Sequence, residues 1–261
     1  MALARITVGD VEIVALSDGE GARPASWMFP NNAVGALDTY RDLLTADGDV
    51  VLNFGCYLLR ADGQTVLVDA GNGPERGGPL LEQLAEAGVG PDAIDLVLFT
   101  HLHGDHTGWN IDRETGRARF SRARYLVPRI DFDHYTAAGS ASVARDIAPL
   151  ANLGALDLIE GERVLTPSLT TLPTPGHTPG HTGLVVTSQG ARALVIGDAF
   201  VSRVSLAEPD WPVAADWNAE VAARTRHALL GRAARDEALV ALSHFPAPGL
   251  GRFDGAHWAA I

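Results

Sequence analysis

Lysine is absent from this 261-residue chain, cysteine occurs once, and no apolar run approaches the roughly 20 residues that a membrane-spanning helix needs. Each absence removes a class of protein. With Cys56 alone there is no intramolecular disulfide framework. That thiol lies in the apolar segment Cys56-Tyr57-Leu58-Leu59, where a buried structural side chain is expected, and it fits no zinc-ligand spacing. All 20 basic residues are arginines, a bias that suits genome composition and heat tolerance equally, and 32 carboxylates leave a formal charge of −12. Binding a phosphate backbone draws on clustered cations, so no nucleic-acid partner is expected. The opening Met1-Ala2-Leu3-Ala4-Arg5-Ile6 lacks the long apolar region of a secretory leader. A cytoplasmic protein with no membrane partner is therefore expected.

What the chain does have is histidine and aspartate in one place. His101-Leu102-His103-Gly104-Asp105-His106 sets four ligand-type side chains in six positions, just after the apolar Leu96-Val97-Leu98-Phe99. A lone histidine is ordinarily a surface or core residue, but that reading does not account for such a density. A strand alternates its side chains, so His101 and His103 are expected to face one cation together, with Asp105 and His106 turned past Gly104 toward a second. Imidazole and carboxylate suit zinc, and also iron, manganese or cobalt. Three further candidates stand at strand-to-loop transitions: His177 in Thr174-Pro175-Gly176-His177-Thr178-Pro179-Gly180, Asp198 after Ala193-Leu194-Val195-Ile196-Gly197, and His244 after Leu239-Val240-Ala241-Leu242-Ser243. Seven such ligands suffice for two divalent ions.

Around these residues the pattern alternates between strand and helix. Val11-Glu12-Ile13-Val14-Ala15-Leu16 reads as a strand that leads to a turn at Ser17-Asp18-Gly19. Cys56-Tyr57-Leu58-Leu59-Arg60 and Thr65-Val66-Leu67-Val68-Asp69 flank Ala61-Asp62-Gly63-Gln64 as a hairpin would. Helical spacing covers 80–87, closed by Gly88, and again about 220–235, rich in alanine, leucine and arginine.

The ligand set, in this order and spacing, resembles that of the metallo-β-lactamase-fold hydrolase superfamily from about residue 11 to residue 244. The resemblance implies an α+β fold, a four-layer αββα sandwich in a single domain over 1–261, with the metal site at the edge between the two sheets. It implies that His101, His103 and His177 hold the first ion, that Asp105, His106 and His244 hold the second, and that Asp198 bridges them. Asp69 then supports the ligands from behind without ligating. His181 is expected to orient its loop by hydrogen bonding. His227 and His257 are expected to be exposed.

Two cations about 3.5–4 Å apart lower the pKa of a bridging water from about 15.7 toward neutrality, so hydroxide is available at pH 7 without a strong base. One ion can polarise a carbonyl or phosphoryl oxygen while that hydroxide attacks, and Asp105 can carry a proton to the leaving group. Hydrolysis is the expected chemistry.

Gly197-Asp198-Ala199-Phe200 and Ser243-His244-Phe245-Pro246-Ala247-Pro248-Gly249-Leu250-Gly251 resemble the branch that holds N-acyl-homoserine lactonases and methyl parathion hydrolase. In that branch an N-terminal loop overhangs the site, as Trp27-Met28-Phe29-Pro30 would here, and dimers are common, so a homodimer is compatible with the sequence. Trp27, Phe29, Trp109, Phe132, His134, Tyr135 and Phe200 are the expected pocket residues, although any one aromatic taken alone is better placed in the core. Homoserine lactonases of the best-known type carry a tyrosine three residues after the bridging aspartate, where this chain has Val201. That departure shifts the expectation to a broad lactonase and esterase with phosphotriesterase activity, acting on small esters, lactones or phosphotriesters.

Other branches of the superfamily fit less of the pattern. The cysteine that class B β-lactamases commonly use in the second metal site is missing. A glyoxalase II-like thioesterase shares the ligand set but has a helical C-terminal region, where only 245–261 remains here. In a different class, an iron-dependent persulfide dioxygenase-like oxidoreductase would use a single redox metal.

Overall fold

The apolar runs collect into two mixed sheets of seven strands each. The computed structural model describes residues 2–30, 32, 35–254 and 257–261. The first sheet takes its strands in chain order: β1 (Arg5–Val8), β2 (Val11–Pro24), β3 (Asp49–Ala61), β4 (Gln64–Val68), β5 (Leu96–Leu98), β6 (Arg124–Pro128) and β7 (Leu156–Ile159). The second runs from β8 (Val164–Thr166) at one edge through β9 (Leu169–Pro173), β10 (Thr182–Ser188), β11 (Ala191–Val195), β12 (Leu239–Ala241) and β13 (Leu250–Phe253) to β14 (Trp258–Ala260). The helices are α1 (Ala25–Met28), α2 (Leu80–Glu86), α3 (Arg129–Ala137), α4 (Ala141–Asp146), α5 (Ala148–Asn152), α6 (Arg203–Ala207) and α7 (Ala219–Arg235). None of the described helices is long and apolar enough to cross a membrane.

Strand alternation explains the layering. Val14, Leu58, Leu67, Val97 and Tyr125 turn outward to pack with Leu80 and Leu84 of α2 and Val143 of α4. Their neighbours Ile13, Leu59, Val66, Leu98 and Leu126 turn inward and meet Leu184, Val186, Ala193 and Leu239 of the second sheet. On the far side Leu194 and Val240 meet Leu229 and Ala233 of α7. The result is the expected four-layer αββα sandwich. Central strands are covered on both faces, which is why they read as unbroken apolar runs. Leu58, Leu59 and Leu67 are fully buried, and each contributes about 1.5–3 kcal/mol by leaving water.

Topology then gathers the loops. Strands β4 to β7 pair in parallel, and so do β11 and β12. The carboxyl ends of parallel neighbours share an edge, and the crevice outside such ends is where open sheets hold ligands. Asp69 follows β4, His101 follows β5, Asp198 follows β11 and His244 follows β12.

The structure corrects two local expectations. Strand β2 does not stop before Ser17; it continues to Pro24 with a register shift between Ser17 and Glu20. The shift lets buried Asp18 accept the backbone N–H of Asn72 at 2.6 Å, of Gly73 at 3.2 Å and of Leu80 at 2.9 Å. The histidine motif lies on the loop after β5 rather than on the strand, which ends at Leu98.

Candidate metal centre

Backbone hooks fix the ligand loops. Asp69 accepts the Thr100 amide at 2.8 Å and the Thr100 hydroxyl at 2.8 Å, which sets the start of the histidine loop. Gly197, at φ 45°, presses on Thr100 so closely that a Cβ would lie 2.7 Å from its Oγ1, so the turn before Asp198 accepts only glycine. From the other side β3 holds the Ser243 turn. The Gly55 amide donates to Ser243 O at 2.9 Å, where a Cβ on Gly55 would come within 2.8 Å of that oxygen.

These loops bring all seven ligand-type residues together. His101, His103 and His177 form one group, Asp105, His106 and His244 a second, and His101, His106 and Asp198 a third, with ligand atoms inside each group within 4.8 Å of one another. His103 Nδ1 lies 3.0 Å from His101 Nε2 and 3.1 Å from His177 Nε2. Asp198 stands between the groups. Its Oδ2 is 3.5 Å from His177 Nε2 and 2.8 Å from His244 Nε2, while Oδ1 faces His106 Nε2 at 3.4 Å. Asp105 Oδ2 is 3.5 Å from His244 Nε2.

The nitrogen of each ring that faces away from the cluster has its own partner. His101 Nδ1 is 3.0 Å from the Thr100 hydroxyl, His103 Nε2 2.9 Å from the Tyr135 hydroxyl and His106 Nδ1 2.9 Å from Asp69. His177 Nδ1 lies 3.3 Å from Asp216, and His244 Nδ1 2.8 Å from Asn53 O. A proton held on each outer nitrogen leaves the inner lone pair free to ligate. His181 acts differently: its Nδ1 lies 2.7 Å from the Thr174 hydroxyl, and its Nε2 accepts the amide of Asp198 at 3.2 Å.

Burial, reinforced by the neighbouring imidazoles, holds His101 well below its usual range and His103 at about 4. Burial also takes His181 down to about 3. For Asp198 burial opposes ionisation, but His244 and His106 hold the carboxyl well below the usual carboxylate range. Burial opposes charge on His106 and His244 as well, but Asp198 and the carboxylates beside it push both up, so a cation entering the cluster takes the place of protons there. Two atoms of the cluster are among the buried side-chain atoms of the described residues that make no hydrogen bond: His106 Nε2 and Asp198 Oδ1. Such orphans are rare in folded proteins. The nitrogen and oxygen donors fit a divalent metal of the zinc type.

A cavity of about 330 Å³ opens over the cluster. His103, Asp105, His177, Asp198 and His244 line its floor, and Trp27, Met28, Leu52, Phe54, Val201 and Val213 give it an apolar wall. Among the expected pocket residues Trp27 alone lines it. Phe29 is buried against Trp211 with ring centroids 6.2 Å apart, Trp109 donates its indole N–H to Asp18 at 3.0 Å, and Phe132 packs with the core outside the first sheet. Phe200 lies beneath α7, and His134 is exposed on α3 against the Tyr135 ring. Large aromatic side chains close to a motif were drawn into the core by their area. Phe54, on β3 and edge-on to the His244 ring, takes a place the motif reading left empty.

Asp216 and Arg226 also support the cluster and lie outside every sequence motif. Asp216 follows no pattern, but Arg226 shares a helix face with Ala222, Leu229 and Ala233. An arginine on an apolar stripe is a readable signal.

The comparisons agree with this geometry. Residues 56–244 match the model of the metallo-beta-lactamase superfamily. The chain is 28% identical over 195 residues to the "Uncharacterized protein YobT" of Bacillus subtilis (strain 168), covering 68% of this chain and 78% of that one. It is 28% identical over 177 residues to the N-acyl homoserine lactonase AiiA of Bacillus thuringiensis subsp. kurstaki, covering 57% of this chain and 64% of that relative, just under two thirds of its length. The solved structure of AidC, a dizinc quorum-quenching lactonase in complex with a product, N-hexnoyl-L-homoserine, matches 100% of this chain and 97% of that one with a TM-score of 0.86 and 25% identity. With the ligand order, the paired sheets and the matched model in agreement, the chain belongs to the metallo-beta-lactamase superfamily.

Proposed function

We propose that the chain is a dinuclear metal-dependent hydrolase of small lactones and esters, with phosphotriesters as further substrates. One observation carries this reading: seven ligand-type side chains converge beneath a cavity with one apolar wall, and a buried ring nitrogen and a buried carboxylate oxygen among them make no hydrogen bond. His101, His103 and His177 would hold one ion and Asp105, His106 and His244 the other, with Asp198 shared. Two divalent ions, zinc by preference, supply a water acidified toward neutral pH and a Lewis acid for the substrate oxygen.

The chain's own residues do the rest. Trp27, Phe54 and Val201 exclude water and seat the acyl part of the substrate. Asp105 faces the cavity with its side chain 27% exposed, placed to take a proton from the attacking water and return it to the leaving oxygen. Water adds to the acyl carbon, the ester C–O bond breaks, and a carboxylic acid and an alcohol leave. Val201 lines the wall where a tyrosine would donate to the substrate carbonyl, so this side chain offers no hydroxyl there, and a bound ion or another donor would have to polarise that oxygen. The support of relatives is in the same direction, since AiiA and AidC are both lactonases.

A substrate panel tests the reading: homoserine lactones, δ-lactones, aryl esters, paraoxon-type phosphotriesters, S-lactoylglutathione and a β-lactam, each with zinc-loaded protein. Turnover of lactones or aryl esters above the thioester and the β-lactam is the expected result. Turnover of S-lactoylglutathione alone would replace it with a thioesterase.

A further inference from the structure

The rim of the cavity carries a charge opposite to that of the whole chain. Carboxylates outnumber cationic side chains by 32 to 20 across the sequence, yet apart from Asp105 and Asp198 in the ligand cluster, the charged residues lining the cavity are Arg23, Arg76, Arg145 and Glu75. Two of these four are already neutralised. Arg145 donates twice to the buried Asp146 at 2.8 Å, and Glu75 accepts Arg113 at 2.7 Å, with Arg113 also reaching Asp146 at 2.6 Å. Arg23 and Arg76 remain. Both are exposed, neither has an ion-pair partner among the described residues, and Arg23 donates only to the carbonyl of its neighbour Ala22.

Uncompensated guanidinium groups at the mouth of a concave site, on a chain that otherwise repels anions, focus the field into that site. Arg also presents a planar fork that matches a carboxylate. A neutral lactone or phosphotriester gains nothing from such a rim.

We propose that the substrate of this centre is an ester or lactone that also bears a carboxylate, which Arg76 and Arg23 hold at the rim while the apolar wall seats its carbon chain and the reacting carbonyl lies over the metal cluster. The proposal rests on the hydrolase reading above and narrows its substrate class.

The test uses two aryl esters of one scaffold, mono-4-nitrophenyl glutarate and its methyl ester, with the zinc-loaded full chain. The carboxylate form is expected to be preferred in kcat/KM by about tenfold at low salt, with the preference shrinking as ionic strength rises. Arg76→Gln is expected to cut the ratio of the two kcat/KM values about fivefold. Arg224→Gln, a charge lost from an exposed position of α7 outside the cavity lining, is expected to leave the ratio as it was. Equal kcat/KM for both esters, flat in salt and unmoved by Arg76→Gln, would overturn the proposal while leaving the hydrolase reading intact. Turnover of neither ester would overturn both.

Discussion

Arg226 and Asp216 form an ion pair sealed from solvent, with one guanidinium nitrogen 3.0 and 2.7 Å from the two carboxylate oxygens and side chains 1% and 0% exposed. The same carboxylate lies 3.3 Å from His177 Nδ1, and Arg226 Nε donates to Ala199 O at 2.9 Å, one residue past Asp198. A single buried cation thus braces the supports of two candidate ligands. Breaking such a pair by removing one partner costs about 3–5 kcal/mol.

Asp216→Asn keeps the shape and weakens the brace. It is expected to lower zinc affinity about 10- to 100-fold, as the loss of a ligand's hydrogen-bond partner does. Chelator competition on the folded variant measures this. Zinc affinity equal to that of the parent would show that His177 needs no such support.

Asp198→Ala removes the carboxylate between the two groups. Occupancy of both ions and all turnover are expected to fall together, read by elemental analysis alongside ester hydrolysis. Full activity with two ions still bound would sink the assignment of Asp198 as the bridge.

Val201→Tyr places a hydroxyl in the cavity wall. Lactone turnover is expected to rise relative to phosphotriester turnover, at a cost in stability of about 1–3 kcal/mol because Val201 is buried among Met28, Phe29 and Val213. An unchanged ratio across the substrate panel would dispose of the idea.

Asp18 accepts three backbone amides and the Trp109 indole. Asp18→Asn turns an amide N–H toward those donors and is expected to cost about 2–3 kcal/mol, seen as a lower midpoint in denaturant. A midpoint within error of the parent would contradict the role.

Short-range rules explain what the sequence makes legible. Asp62-Gly63 marks the β3–β4 hairpin, apolar runs mark the central strands, and the residues that end those runs are the ones that meet at the metal cluster, because parallel strands deliver their ends to one edge. Other features depend on contacts between distant segments. Nothing near Asp216 announces that it will stand behind His177, 39 residues away. Asp18 reads as a turn residue until the Asn72 loop arrives to donate to it. The aromatic wall fails for a related reason: proximity to a motif along the chain does not say which face a ring takes, and Phe200, two residues after Asp198, turns into the core beneath α7. Arg226 is the instructive case, since its place on the apolar stripe of α7 is visible in the sequence and its acceptors are not.

Metal stoichiometry against activity is the most direct test of the central claim. Metal is stripped with a chelator and zinc returned in steps, with bound metal counted per chain and aryl ester or lactone hydrolysis followed at each step. The account predicts two ions per chain and hydrolysis that returns as they bind. One tightly held iron per chain with no hydrolysis at any loading would contradict it.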